Sequence, residues 1–219
     1  MSLDIKICGL STAETVAAAL DGGASHVGFI FFPKSPRNVT PQEAGRLRQA
    51  AMGRALAVAV SVDADDAFLD EIVAAMAPDM LQLHGKETPA RVAEVKARYG
   101  LPVIKALSVA ERADLDAIAP YVGIADRFLL DAKPPKGAKL PGGNGIAFDW
   151  RLLEDLSGEV DYLLSGGLDA GNVGEALGLV SPPGLDLSSG VESAPGVKDP
   201  ALIARFFDAV VAARATSPA

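Results

Sequence analysis

Residues 4–32 read DIKICGLSTAETVAAALDGGASHVGFIFF, and this one stretch holds a strand, a helix and a second strand. The run 4–8 alternates polar and apolar residues. Residues 12–22 space their apolar side chains as a helix does, behind a Thr12 cap, and 26–32 form a strand-length apolar run. A strand followed by a helical crossover and another strand implies parallel pairing.

Outward from this unit the rhythm repeats to the end of the chain. Further strands are expected near 55–61, 79–84, 102–107, 126–131, 161–165 and 184–188. Helical patterns fill 40–52, 65–76, 88–98, 110–119, 149–156, 170–179 and 198–213, with Thr40 and Thr88 as further caps. Eight strands and eight helices in 219 residues, without a linker or a shift in composition, predict a single α/β domain over 1–219. A (β/α)8 TIM barrel suits that count better than an open doubly wound sheet, although counting elements does not by itself establish closure. Only 132–147 reads as a long loop, expected to be a mobile cover near the site.

The parity of polar residues within strands points to a site. Lys6 and Cys8 share one face of their strand against Ile5 and Ile7, Gln82 and His84 oppose Leu81 and Leu83, and Leu129 and Asp131 oppose Phe128 and Leu130. Asp186 and Ser188 likewise oppose Leu185 and Leu187. If the apolar faces pack under helices, the polar ones point into the barrel, and Lys105 is expected to join them. Cys8, His84, Asp131 and Asp186 stand at the C-terminal ends of their strands, where barrel enzymes assemble their sites. A lone buried cysteine ordinarily behaves as a small hydrophobe, so position is what singles out Cys8.

Ser165-Gly166-Gly167 and Ser188-Ser189-Gly190 follow the seventh and eighth strands. Glycines there let backbone N–H groups approach an anion, in the usual barrel position for a phosphate. Arg37, after the second strand, offers a planar fork for a carboxylate. His26 begins its strand at the opposite end, so the two histidines do not make a metal centre, and nucleotide fingerprints are missing. Trp150 is read as packing at a helix start. A thiol and a carboxyl across one pocket are equipment for proton transfer without metal or cofactor.

Composition bounds the partners. The net charge of −8 argues against a nucleic-acid binder, and the apolar runs fall far short of the ~20 residues of a membrane span. One cysteine excludes an internal disulfide, and the N-terminus lacks a signal-peptide pattern, which suits a reducing cytoplasm. The expected partner is a small phosphorylated molecule, and the chain could work as a monomer or a homodimer.

Taken in order, Lys6-Ile7-Cys8-Gly9-Leu10, Ser35-Pro36-Arg37, Leu81-Gln82-Leu83-His84-Gly85, Leu130-Asp131, Gly142-Gly143-Asn144-Gly145, Ser165-Gly166-Gly167 and Asp186-Leu187-Ser188-Ser189-Gly190-Val191-Glu192, with Lys198-Asp199 beyond, resemble the phosphoribosylanthranilate isomerase family of tryptophan biosynthesis. The resemblance implies an Amadori rearrangement, with Asp131 as general acid on the ribose ring oxygen and Cys8 as general base at C2. It also implies Arg37 as the anthranilate carboxylate clamp, His84 and Asp186 as substrate-binding groups, and Gly166, Gly167, Ser188, Ser189 and Gly190 as the phosphate cradle. A free thiol has a pKa of about 8.5, so the base role calls for a positive field, for which Lys6 is the expected source. A sugar-phosphate epimerase or lyase barrel and a non-catalytic phosphate-binding barrel are the alternatives.

Overall fold

The computed structural model describes residues 3–216 apart from 136, 139, 144, 146 and 157–159. Eight parallel strands close into a barrel in chain order: β1 (Asp4–Cys8), β2 (His26–Phe31), β3 (Leu56–Ser61), β4 (Met80–Leu83), β5 (Val103–Val109), β6 (Arg127–Ala132), β7 (Tyr162–Leu164) and β8 (Gly184–Leu187). The closed barrel, rather than the open sheet, follows from β8 pairing with β1, where Lys6 lies level with Asp186.

The crossovers include α1 (Ala13–Gly22), α2 (Pro41–Arg48), α3 (Asp66–Met76), α4 (Pro89–Tyr99) and α5 (Val173–Leu179), and α6 (Pro200–Thr216) follows the last barrel strand. Thr12, Thr40 and Thr88 cap their helices through side-chain oxygens that accept backbone N–H bonds, and at Thr40 the Glu43 carboxylate completes a reciprocal pair. Two crossovers depart from the α-helices expected. Residues Arg112–Tyr121 and Trp150–Leu156 form 3-10 helices. In the first, Pro120 removes a donor and disfavours α geometry at Ala119. In the second, the long loop after β6 consumes most of the connection. Trp150 opens that segment and is buried, as expected of a packing residue.

Side chains sort into two layers. Val58, Val60, Ile104, Leu129 and Leu163 fill the barrel interior with Cys8, while Ile5, Ile7, Leu81, Leu83, Phe128, Leu130, Leu185 and Leu187 pack outward under the helices. Lys6, Gln82, Asp131 and Asp186 therefore face inward, as their parity predicts. Lys105 does not. It lies level with the outward residues Leu83 and Phe128, and its ammonium meets Glu87 Oε2 at 2.7 Å and the carbonyls of Leu83 and Gly85, outside the barrel. Val103, Ile104, Ala106 and Leu107 around it are apolar on both faces and give parity nothing to act on.

A small antiparallel hairpin, β9 (Glu192–Ala194) and β10 (Val197–Lys198), follows β8 and was not legible as strands. Among the described residues no helix is long and apolar enough to cross a membrane.

Candidate active site

At the C-terminal mouth Cys8, Arg37, His84, Asp131 and Asp186 line one cavity, of about 810 Å³ counted out to open solvent. Gly142 and Gly143 of the long loop form part of its wall, so the described part of this loop covers the site; Asn144 lies outside the described residues.

Asp131 is 5% exposed, and its Oδ1 accepts the backbone N–H of Ala132 at 2.9 Å. Its Oδ2 faces His84 Nε2 at 3.6 Å. Below, the Gln82 amide nitrogen stands 2.9 Å from His84 Nδ1. An amide N–H donating there fixes the neutral ring's own proton on Nε2, toward Asp131. A Cβ at Gly142 would stand 2.5 Å from Asp131 Oδ2 and 2.7 Å from His84 Nε2, so the loop backbone passes directly over this pair.

On the other side of the mouth Cys8 lies beside Lys6 and Asp186. Lys6 is fully buried and donates to Asp186 Oδ1 at 2.6 Å, while Ser165 Oγ reaches Asp186 Oδ2 at 3.3 Å. Burial works against the charge of Lys6, but the carboxylate of Asp186 and the neighbouring Cys8 outweigh it, leaving the ammonium above the ordinary lysine range. Burial pushes the Cys8 thiol up, against the pull of the Lys6 charge. The expected positive field is therefore present, and it is shared with Asp186. Gly28 makes the room: a Cβ there would crowd Cys8 Sγ at 3.1 Å and Lys6 Cε at 3.2 Å.

Arg37 is held at the edge of the same cavity. It is buried, with Nε donating to Glu192 Oε1 at 2.7 Å and Nη2 to Glu192 Oε2 at 2.9 Å and the Gly143 carbonyl at 3.3 Å. Lys198 donates to the same Oε1 at 2.5 Å and to Ser188 Oγ at 3.1 Å. Burial raises Glu192, but the bonds from Arg37 and Lys198 bring its carboxyl below the usual range. Burial also lowers Lys198, more than Glu192 restores. Residue-by-residue reading passed over Glu192 and Lys198; two opposite charges six apart around a Pro-Gly turn were the available signal.

After β7, Gly166 and Gly167 line the cavity with φ of +90° and +67°, in the left-handed region open to glycine, and a Cβ on Gly166 would press on the backbone of Ala132. Ser188 and Ser189 line it as well, although the Ser188 hydroxyl already donates to the Cys8 carbonyl at 3.0 Å. Gly190 stands behind them, where a side chain would collide with the Leu168 carbonyl.

Residues 5–209 match the model of the N-(5'-phosphoribosyl)anthranilate isomerase family. Relatives of that name from Mesorhizobium japonicum and Brucella canis are 74% and 68% identical over 98% of this chain, covering 98% and 97% of their own lengths. The Thermotoga maritima phosphoribosyl anthranilate isomerase superimposes with a TM-score of 0.86 at 31% identity, covering 96% of this chain and all of that one. A phosphoribosyl anthranilate isomerase solved with reduced 1-(o-carboxyphenylamino)-1-deoxyribulose 5-phosphate gives 0.83 at 30% identity with the same coverage. Sequence and barrel agree, and the chain belongs to the N-(5'-phosphoribosyl)anthranilate isomerase family.

Proposed function

We propose that Cys8 and Asp131 carry out the Amadori rearrangement of N-(5'-phosphoribosyl)anthranilate to 1-(2-carboxyphenylamino)-1-deoxyribulose 5-phosphate, a step of tryptophan biosynthesis. The observation that carries this reading is the convergence of a strand-end thiol and a strand-end carboxyl on one covered cavity. β1 and β6 stand three strands apart around the ring, so acid and base approach a bound sugar from different sides.

Asp131 delivers a proton to the ribose ring oxygen as the C1–O bond breaks and the nitrogen lone pair forms the C1=N iminium. His84 Nε2 then faces the carboxylate that results. Cys8 as thiolate removes the C2 proton, and the electrons of that bond form the C1=C2 enolamine while nitrogen becomes neutral. Loss of the enol proton and protonation at C1 complete the ketone. Ring opening assists the base step, because an iminium adjacent to C2 acidifies its proton and adds a positive charge near the thiol.

In this reading Gly166, Gly167, Ser189 and Gly190 hold the phosphate through backbone groups, with Ser188 bracing the Cys8 carbonyl. Asp186 meets the sugar while paired to Lys6, and Arg37 meets the anthranilate carboxylate. No metal or cofactor takes part. A reducing cytoplasm keeps the thiol free, and a monomer or a homodimer serves equally, since every group named comes from one chain.

The test is the fluorescence decay of freshly prepared N-(5'-phosphoribosyl)anthranilate in the presence of a metal chelator. Chelator-resistant turnover that falls by about 10²–10⁴ in Cys8→Ser and in Asp131→Asn supports both roles. A folded wild-type protein that leaves the fluorescence unchanged sinks the assignment.

A further inference from the structure

Arg37 and Glu192 are separated by 155 positions in sequence, yet they form a buried two-bond fork. Glu192 also accepts Gly196 N–H on Oε2 at 3.1 Å and Lys198 on Oε1. Both of its oxygens are thus engaged twice, and the bonds to Arg37 use Nε and Nη2 but not Nη1.

The hairpin carrying Glu192 is built against the loop carrying Arg37. At its turn Gly196 has φ of +84°, and a Cβ there would stand 2.6 Å from the Pro36 carbonyl. The stem of Arg37 lies across Gly9, where a Cβ would come within 2.7 Å of Cδ. The guanidinium therefore has a floor at Gly9, a clasp at Glu192 and a roof at Gly143. Arg37, Lys198 and Glu192 together carry one net positive charge, which matches a single carboxylate.

We propose that Glu192 is a positioning residue for substrate specificity: through the β9–β10 hairpin it holds Arg37 so that the Nη1 edge meets the aryl carboxylate of the substrate. This rests on Arg37 being the carboxylate clamp. A free arginine would have to surrender its rotamer freedom on binding, whereas one already locked by two charged hydrogen bonds does so in advance. Arg37 lines the cavity and Glu192 stands behind it, so the effect of Glu192 belongs to recognition of the carboxylate through Arg37.

The experiment compares N-(5'-phosphoribosyl)anthranilate with N-(5'-phosphoribosyl)aniline, which lacks only the carboxylate, in wild type, Glu192→Gln, Glu192→Asp and Arg37→Ala. Glu192→Gln is expected to raise KM for the anthranilate compound by about tenfold or more, with a far smaller change in kcat. The aniline compound should respond little, so the preference for the carboxylate collapses. Glu192→Asp, which keeps the charge but shortens its reach, should lie between, and it serves if the glutamine variant folds poorly. Equal impairment on both compounds would make Glu192 merely structural and overturn the proposal, as would an undiminished preference in Glu192→Gln. Preference lost in Arg37→Ala but kept in the Glu192 variants refutes only the positioning role. Preference kept in Arg37→Ala refutes the clamp itself, and the proposal falls with it.

Discussion

The two ends of the barrel are both lined with charged and polar groups, and they differ in where those groups find partners. At the floor Arg127 bridges Asp4 at 2.8 Å and Asp161 at 2.9 Å, and His26 Nδ1 meets Ser25 Oγ at 2.8 Å. Each group there is answered by a neighbour. At the mouth Cys8, His84 and Asp131 open onto a cavity, and among the described residues His84 Nε2 and Asp131 Oδ2 come no closer to each other than 3.6 Å. Burying polar groups has a desolvation cost at either end, so what distinguishes a reactive end is the bonding capacity left over for a ligand.

The comparison is broken most sharply by substitutions that should affect one end alone. Asp131→Asn is expected to lower kcat/KM by about 10²–10⁴ while leaving the urea midpoint nearly unchanged, measured by fluorescence turnover and equilibrium unfolding. A large stability loss in this variant would show that the mouth is scaffold too.

Lys6→Met crosses the boundary, because it strands the Asp186 carboxylate in the barrel interior. A loss of about 3–5 kcal/mol in unfolding free energy is expected, together with loss of turnover. Retained stability would mean that Asp186 finds another partner or a proton.

His26 sharpens the contrast through pH. Burial, its largest influence, lowers its pKa from 6.5 to about 4. The unfolded chain therefore takes up this proton at a higher pH than the folded one. Stability attributable to neutral His26 is complete above the unfolded pKa near 6.5 and is lost as the pH falls toward about 4, by on the order of 3 kcal/mol. Urea titrations at successive pH values should show this slope in the wild type and a shallower one in His26→Gln. An identical slope would place the acid sensitivity elsewhere.

The smallest effect is expected at Arg127→Met, about 1–2 kcal/mol of stability with kcat and KM unchanged, since its carboxylate partners remain partly hydrated. A change in kinetics would show that the floor communicates with the mouth.

Much of this contrast was legible from residue order because period-two parity and strand direction are local properties. Lys6-Ile7-Cys8 and Leu130-Asp131 state both which side chains face inward and which lie at the mouth. Lys105 was misplaced because Val103, Ile104, Ala106 and Leu107 are apolar on both faces, so only registration against Leu83 and Phe128 reveals its direction. Its partner Glu87 sits in a loop, where no periodicity applies. The same limit hid the Arg37–Glu192 fork, whose two halves meet only because β8 returns to lie beside β1. Helix type after β5 was obscured for another reason: the amphipathic spacing of Arg112–Tyr121 resembles an α-helix until Pro120 withdraws its N–H.

The Lys6–Asp186 pair spans the seam where the last strand joins the first, across 180 positions. During synthesis the ribosome releases β1 long before its second neighbour exists. At about 5–20 residues per second, roughly 10–40 seconds separate the emergence of the two partners. Throughout that interval the nascent chain carries an ammonium without its counter-ion and a strand edge without its mate, a natural point for chaperone capture. The thiol environment is thus among the last parts of the molecule to mature, although its cysteine is among the first residues made.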